Sequence, residues 1–434
     1  DIFSWKEGFL YLAPRDGDAI HQPGYRWDLP PGGSILPDLV DVLTGGAETT
    51  GALFLQGPSY IDSGISRTYT VTDQGTFGQA APMVAVEDLP PGSVRAVLPL
   101  LRDDAGFRTN MGVVNTTDRP TDVVVELLAP DGTLLGAVEK HLEPFGVWQG
   151  NRVLRRLTDA EIPQASARVW SPDPHSRIAS WASVVDNHSG DAILVLPAAR
   201  ATRPLWIPTV AHNRGANGTD WRSEVEVCAR GTLDARFSIE FVRKEGVTAP
   251  LTFDLVGGSC VRWTDVLQDL FAADGQGALR IERLAGSVSA ASRTYTVMAD
   301  GATYGQYIPA VVEPVHGPSS LMQMGIPWLA HSTDPSEGYR SNLSVLNLED
   351  EPIEVDVGFS TGFGFLNPWD FYLTSFTVQL EAHELRQLND VLAAHVDEDV
   401  DFAWAGVSGT GAFLTYASVV DNRTGDPVFV MGQE

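Results

Sequence analysis

The chain has 434 residues, a length that suits three or four domains better than one core, and a hydrophobic fraction of 43% that supports folded cores. Its 56 acidic against 29 basic side chains give a formal net charge of −27. That field repels nucleic acid and anionic membrane and attracts cations such as Ca²⁺. No apolar run approaches the ~20 residues needed to span a bilayer. The 42 Gly and 28 Pro, with no long capped helical period, favour many short strands joined by turns.

The opening "DIFSWKEGFLYL" lacks the basic start and apolar core of a signal peptide. The chain is therefore expected to be either cytoplasmic or a mature or trimmed form. The end, "VFVMGQE", carries no sorting or lipidation signal. Lys occurs only at Lys6, Lys140 and Lys244, and genome composition accounts for that bias.

Internal repeats organise the chain. "SRTYTVTDQGTFGQ" from Ser66 recurs as "SRTYTVMADGATYGQ" from Ser292, and "SVVDNHSGD" from Ser183 recurs as "SVVDNRTGD" from Ser418. "FRTNMGVVN" from Phe107, "WRSEVEVCA" from Trp221 and "YRSNLSVLN" from Tyr339 share a third pattern. Four modules follow, at 1–93, 94–200, 201–313 and 314–434, with the first closest to the third and the second to the fourth.

Within a module the expected order begins with an entry strand, "LWIPTVAH" or "MGIPWLAH". An aromatic-Arg-Ser/Thr strand is next, then a third strand such as "VVVELLAPDG" with its Asp-Gly turn. A further strand leads into a short helical turn, "TDVLQDLF", where Asp265 and Gln268 are spaced as a capping box. Two more strands and an Asp-Asn or Asp-Gly hairpin close the unit. In "WRSEVEV", Val225 and Val227 alternate with Glu224 and Glu226, the pattern of a strand with one polar outer face. About seven short strands in ~100 residues read as an all-β, Ig-like antiparallel sandwich.

These segments, above all "IPTVAHNRGANGTDWRSEVEV", "DVLQDLFAADGQGALRIE" and "SRTYTV…GQYIPAV", resemble tandem Ig-like β-sandwich repeats of secreted bacterial proteins, a family largely without assigned activity. The likeness is strongest in the third module, clear in the fourth and weaker in the first two. It implies a secreted, multi-module protein and carries over no catalytic residue.

The two cysteines, Cys228 and Cys260, fall on strand-like segments of the third module. Either they bridge, which stabilises by about 3–4 kcal/mol and points to an oxidising compartment, or they are two unrelated buried thiols.

The first module is short. "FLYLAPRDG" from Phe9 aligns with "VVELLAPDG" from Val124, so counterparts of the entry strand and of "WRSEVEV" are missing. Either the chain is a fragment, or another subunit donates strands to complete the module. In the second reading Phe9 and Tyr11 line the acceptor. Val428 and Val430 of the terminal "DPVFVMGQE" reach a neighbouring copy or another surface protein, and a non-closing contact of that kind builds a filament.

No His cluster has zinc spacing, and no nucleophile elbow, P-loop or dinucleotide fingerprint appears. His212 and His331 sit at equivalent places, which argues for structure. "GFGFLNPW" from Gly362 reads as a loop, and so does the acidic "DEDVD" at 397–401. The acidic turns place Asp186, Asp191, Asp421 and Asp426 as either Ca²⁺ ligands or ordinary hairpin residues. Trp181 and Trp221 align with other aromatics and read as core, whereas Trp369 and Trp404 are the less repetitive candidates for a sugar platform. Sequons lie at Asn115, Asn187, Asn217, Asn342 and Asn422.

The expectation is thus a non-enzymatic extracellular structural protein, without cofactor unless Ca²⁺ binds. A carbohydrate- or Ca²⁺-binding accessory protein is the alternative, and an enzyme the third.

Overall fold

The computed structural model describes residues 6–14, 25–29, 36, 38–45, 49–56, 64–73, 75–215, 218–314, 322–361 and 372–433. Among them the chain is almost entirely antiparallel β-structure. No described helix is long and apolar enough to cross a membrane.

Between Ala96 and Val195 two four-stranded sheets face each other. One runs in the order Ala96–Asp103, Ile162–Trp170, Thr121–Leu128, Leu134–Leu142. The other runs Val147–Gly150, Phe107–Asn115, Ile178–Asp186, Ala192–Val195. Alternate residues of both turn inward, so Val123, Val125 and Leu127 meet Met111, Val113 and Val184 in one core. From Met322 to Met431 the same strand orders recur, around Val355, Val357, Leu343, Val345 and Phe413.

In 201–313 the sheets merge. Leu205–Arg214 pairs with Gly275–Ala285 along most of its length and turns at its end onto Asp220–Ala229, giving one ten-stranded sheet around Val225, Val227, Phe237, Ile239 and Ile281. Cys228 and Cys260 lie opposite each other on paired strands and are bonded as a disulfide that packs on Val97.

The three entry strands share one device. Each breaks register where its Pro stands, at Pro99, Pro208 and Pro327. Pro cannot donate to the ladder, so a bulge is where a strand tolerates it.

The described strands before residue 94 fall in two separate sheets. Tyr25–Leu29, Lys6–Pro14 and Gly51–Gln56 form a three-stranded sheet in that order. Ala13, Ala52 and Phe54 of this sheet pack on Val114, Val147 and Trp181 of the next segment. The hairpin of Ile65–Thr72 with Gly75–Pro82 is a separate two-stranded sheet, and its Ile65 and Ala80 pack on the core of 322–431.

Four sequence expectations change here. The outer face of "WRSEVEV" is not solvated, because Glu224 is 2% and Glu226 0% exposed against the preceding segment. The turn at 265 is a single π turn, Leu267–Phe271, and the Asp265 N–H donates to Asp269 Oδ2 at 3.1 Å, not to Gln268. Val428 and Val430 lie in the core of their own segment on a strand paired with Phe413–Asp421, so they are not free to reach a neighbour. Phe9 and Tyr11 lie on the central strand of their sheet, Phe9 paired with Arg26 and Gln56 and Tyr11 with Phe54.

Candidate functional site

The acidic turns of the second and fourth segments grip the two related hairpins. Asp186 Oδ2 accepts from the Thr303 N–H at 3.0 Å and the Thr303 hydroxyl at 2.6 Å, and Asp191 Oδ2 accepts from the Gly305 N–H at 3.0 Å. In the same way Asp421 Oδ2 takes the Thr76 N–H at 3.0 Å and its hydroxyl at 2.6 Å, and Asp426 Oδ2 takes the Gly78 N–H at 3.1 Å. Gly at 78 and 305 is required, since a Cβ would stand 2.4 Å from Thr68 O or 2.6 Å from Thr294 O. The Ser189 and Thr424 hydroxyls return a bond to the carbonyls of Thr303 and Thr76.

The hairpins also cross over. Gln79 accepts from Ser183 of the second segment at 2.9 Å, while Gln306 accepts from Ser418 of the fourth at 3.0 Å. Phe77 stacks on Tyr304 with ring centres 5.5 Å apart. Each hairpin thereby touches both the second and the fourth segment.

Asp186 and Asp421 are saturated. Their Oδ1 atoms cap the N–H groups of His188 and Ser189, and of Arg423 and Thr424. Burial alone would raise both, but the hydrogen bonds, led by those from Thr303 and Thr76, outweigh it and hold both below the usual carboxylate range. Asp191 and Asp426 differ. Their Oδ1 atoms are buried without an N–H or O–H donor, and the two carboxyls interact with each other. Burial pushes Asp191 up to about 6 against the pull of Arg293, and burial together with the Asp191 charge raises Asp426 well above its ordinary value. Burial and the neighbouring carboxyl together disfavour full ionisation, so the pair gives up its protons at higher pH than ordinary carboxylates.

These bonds bear on the Ca²⁺ expectation. A hard cation takes about six to eight oxygens, and here two Oδ1 atoms are open. Among the described residues, the other group of nearby metal-ligand types is Glu226 with Cys228 and Cys260, whose sulfurs are bonded to each other.

A second polar cluster fills the contact between the second and third segments. Arg102 bonds Glu224 at 2.8 Å, and Arg262 bonds Glu226 Oε1 at 3.2 Å and the Leu101 carbonyl at 3.2 Å. Glu226 also accepts from Gln164 and from the N–H of Leu100, a buried residue with φ of 62°. Burial raises Glu224, yet Arg102, Arg262 and Arg293 lower it further than burial raises it.

His212 Nδ1 lies 2.7 Å from Asp265, and His331 Nδ1 lies 3.0 Å from Asp390, so both tie an entry strand to the turn beyond the sheet. The second segment reverses the charges: Asp103, equivalent to the two His, is held by Arg152 at 2.7 Å and Arg155 at 3.2 Å. A one-letter alignment hides this exchange.

Trp181 packs over Gly112, and Trp404 over Gly325 and Gly406, and both rings are half-buried. Trp369, Asn217 and the loop from Gly362 lie outside the described residues. The sequon at Asn115 is buried, with its amide donating to the carbonyls of Arg119 and Glu143. Asn187 and Asn422 hold the loops at Ala105 and Glu337, and Asn342 accepts from the Asp390 N–H. In the 397–401 loop, Asp399 accepts from the N–H and hydroxyl of Thr333.

No protein-family model matches the chain, and no curated protein matches it. Among solved structures, a tetra-tandem repeat in the extending region of a large adhesion protein aligns with 99% of this chain and 92% of its own at 11% identity, with a TM-score of 0.12. A score that low carries no argument about fold or role.

Proposed function

We propose that this chain is a non-enzymatic structural protein of the cell exterior, built from Ig-like sandwich modules, the first of them incomplete. The observation that carries the reading is the use made of its repeated polar residues. Asp186, Asp191, Asp421, Asp426, Glu224, Glu226 and Arg262 all bond across segment boundaries, so the chemistry of the chain goes into joining modules. The Cys228–Cys260 disulfide supports an oxidising location. Thiol trapping in source cells, with protease added to intact cells, tests this. Oxidised cysteines and external cleavage are expected; a reduced, protected chain would overturn the reading.

A ligand-binding accessory role has one observation in its favour. A polar cleft of about 360 Å³ lies between the third and fourth segments, lined by Arg243, Lys244, Asp274, Gln276 and Glu384. A glycan array with the full chain addresses it, and hits abolished by Lys244→Ala would favour it.

A further inference from the structure

Six identical residues, Ser-Arg-Thr-Tyr-Thr-Val, stand in two different environments. In the second copy Ser292, Arg293, Thr294 and Thr296 are 0–7% exposed. In the first, Ser66, Thr68, Tyr69, Thr70 and Val71 are all exposed, Tyr69 by 47% and Val71 by 71%. The hairpin partner does not explain this, because both strands pair with their own return strand in the same register, Arg67 opposite Ala80 and Arg293 opposite Tyr307.

The difference lies on the other edge. Val288–Val297 is covered there by Asp220–Ala229 along nine residue pairs, from Trp221 opposite Thr296 to Ala229 opposite Val288. Phe107–Asn115 and Tyr339–Asn347 cover the corresponding edges in the second and fourth segments. Among the described residues, Ile65–Thr72 pairs with Gly75–Pro82 alone. An edge that keeps the sequence of a covered strand, yet has no covering strand among the described residues, is a template for strand addition.

We propose that the outer edge of Ile65–Thr72 accepts an extended segment of another polypeptide, bound antiparallel, with the aromatic–Arg–hydroxyl–acid–apolar–acid–apolar pattern of Asp220–Ala229. The internal copy sets the register. An aromatic residue lies opposite Thr70, as Trp221 does opposite Thr296, and a hydroxyl opposite Thr68, as Ser223 bonds Thr294 at 2.7 Å. A carboxylate lies opposite Arg67, as Glu224 does opposite Arg293, and an apolar side chain opposite Ser66. The proposal rests on the structural reading above, and it puts the acceptor on this hairpin instead of on Phe9 and Tyr11.

The test uses the full chain and a synthetic peptide with the sequence of Asp220–Ala229 carrying Cys228→Ser. Amide exchange is followed with and without millimolar peptide. The amides of Arg67, Tyr69 and Val71, which face away from the hairpin partner, should slow by about tenfold or more while Val288–Val297 stays unchanged. The same peptide with Arg222→Pro and Glu224→Pro, which removes N–H groups on the side that faces Val288–Val297 in the internal copy, should give no protection. Equal exchange with and without peptide would overturn the proposal, as would equal protection by the Pro peptide. A dimer of the chain alone that already protects the amides of Arg67, Tyr69 and Val71 would also overturn it, by making a second copy the occupant. The structural reading is judged separately by thiol trapping and stands if the peptide fails.

Discussion

Asp191 and Asp426 set an unusual pH dependence. Unfolded, each titrates near 3.9, whereas in the fold Asp191 titrates at about 6 and Asp426 is also raised. The stability they contribute is therefore fully present below about pH 4 and is lost as pH rises through 6. Asp426→Asn removes one of the two opposed buried charges and sets an amide beside Asp191. It should leave stability unchanged near pH 4 and raise it near pH 8, by on the order of 2 kcal/mol. Urea unfolding at the two pH values checks this, and parallel pH profiles for variant and parent would refute it. Asp186 and Asp421, held low, act in the opposite sense: their contribution is present above about pH 4 and lost as acid titrates them. At the second polar cluster, Glu226→Gln leaves Arg262, 5% exposed, without its closest buried countercharge. A cost of about 3 kcal/mol in denaturant unfolding is expected.

At the scale of elements, the disulfide joins strands that already pair, across a sequence separation of 32. Its gain comes from the unfolded chain, so Cys228→Ala with Cys260→Ala should cost about 3–4 kcal/mol without altering the Val225–Trp263 pairing. Thermal unfolding with and without reductant measures it. Strands were legible because their signals are local: alternation of Val225 and Val227 with Glu224 and Glu226, and Asp-Gly at 131–132. The Asp-rich turns were legible as turns for the same reason. Their partners were not, because Thr76 and Asp421 are 345 residues apart and nothing in either stretch names the other. Likewise Glu224 and Glu226 read as a solvated face, since a strand's pattern does not distinguish water from a neighbouring module. The cross-strand complement of Asp103 with Arg152 was hidden because a charge pair survives exchange of its partners while the letters do not.

Over the whole molecule the chain is tied end to end. The 65–82 hairpin, near its start, is held by Asp421 and Asp426 near its end, just as the 288–309 hairpin is held by Asp186 and Asp191. The two attachments are chemically alike but differ in redundancy. The later hairpin also has Asp220–Ala229 along its other edge, whereas among the described residues the earlier one has no such strand. Removing one clamp should therefore have unequal effects. Asp421→Ala deletes two charged hydrogen bonds to Thr76, together worth about 3 kcal/mol, from a hairpin that among the described residues has no second edge strand. Its amides should lose protection, and 65–82 should become a preferred protease site. Asp186→Ala deletes the same two bonds to Thr303, but nine residue pairs with Asp220–Ala229 keep 288–309 in place. It should lower global stability without local opening. Hydrogen exchange on the two variants separates the outcomes, and equal local opening of both hairpins would show that the acidic clamp, not the missing edge strand, governs how firmly each is held.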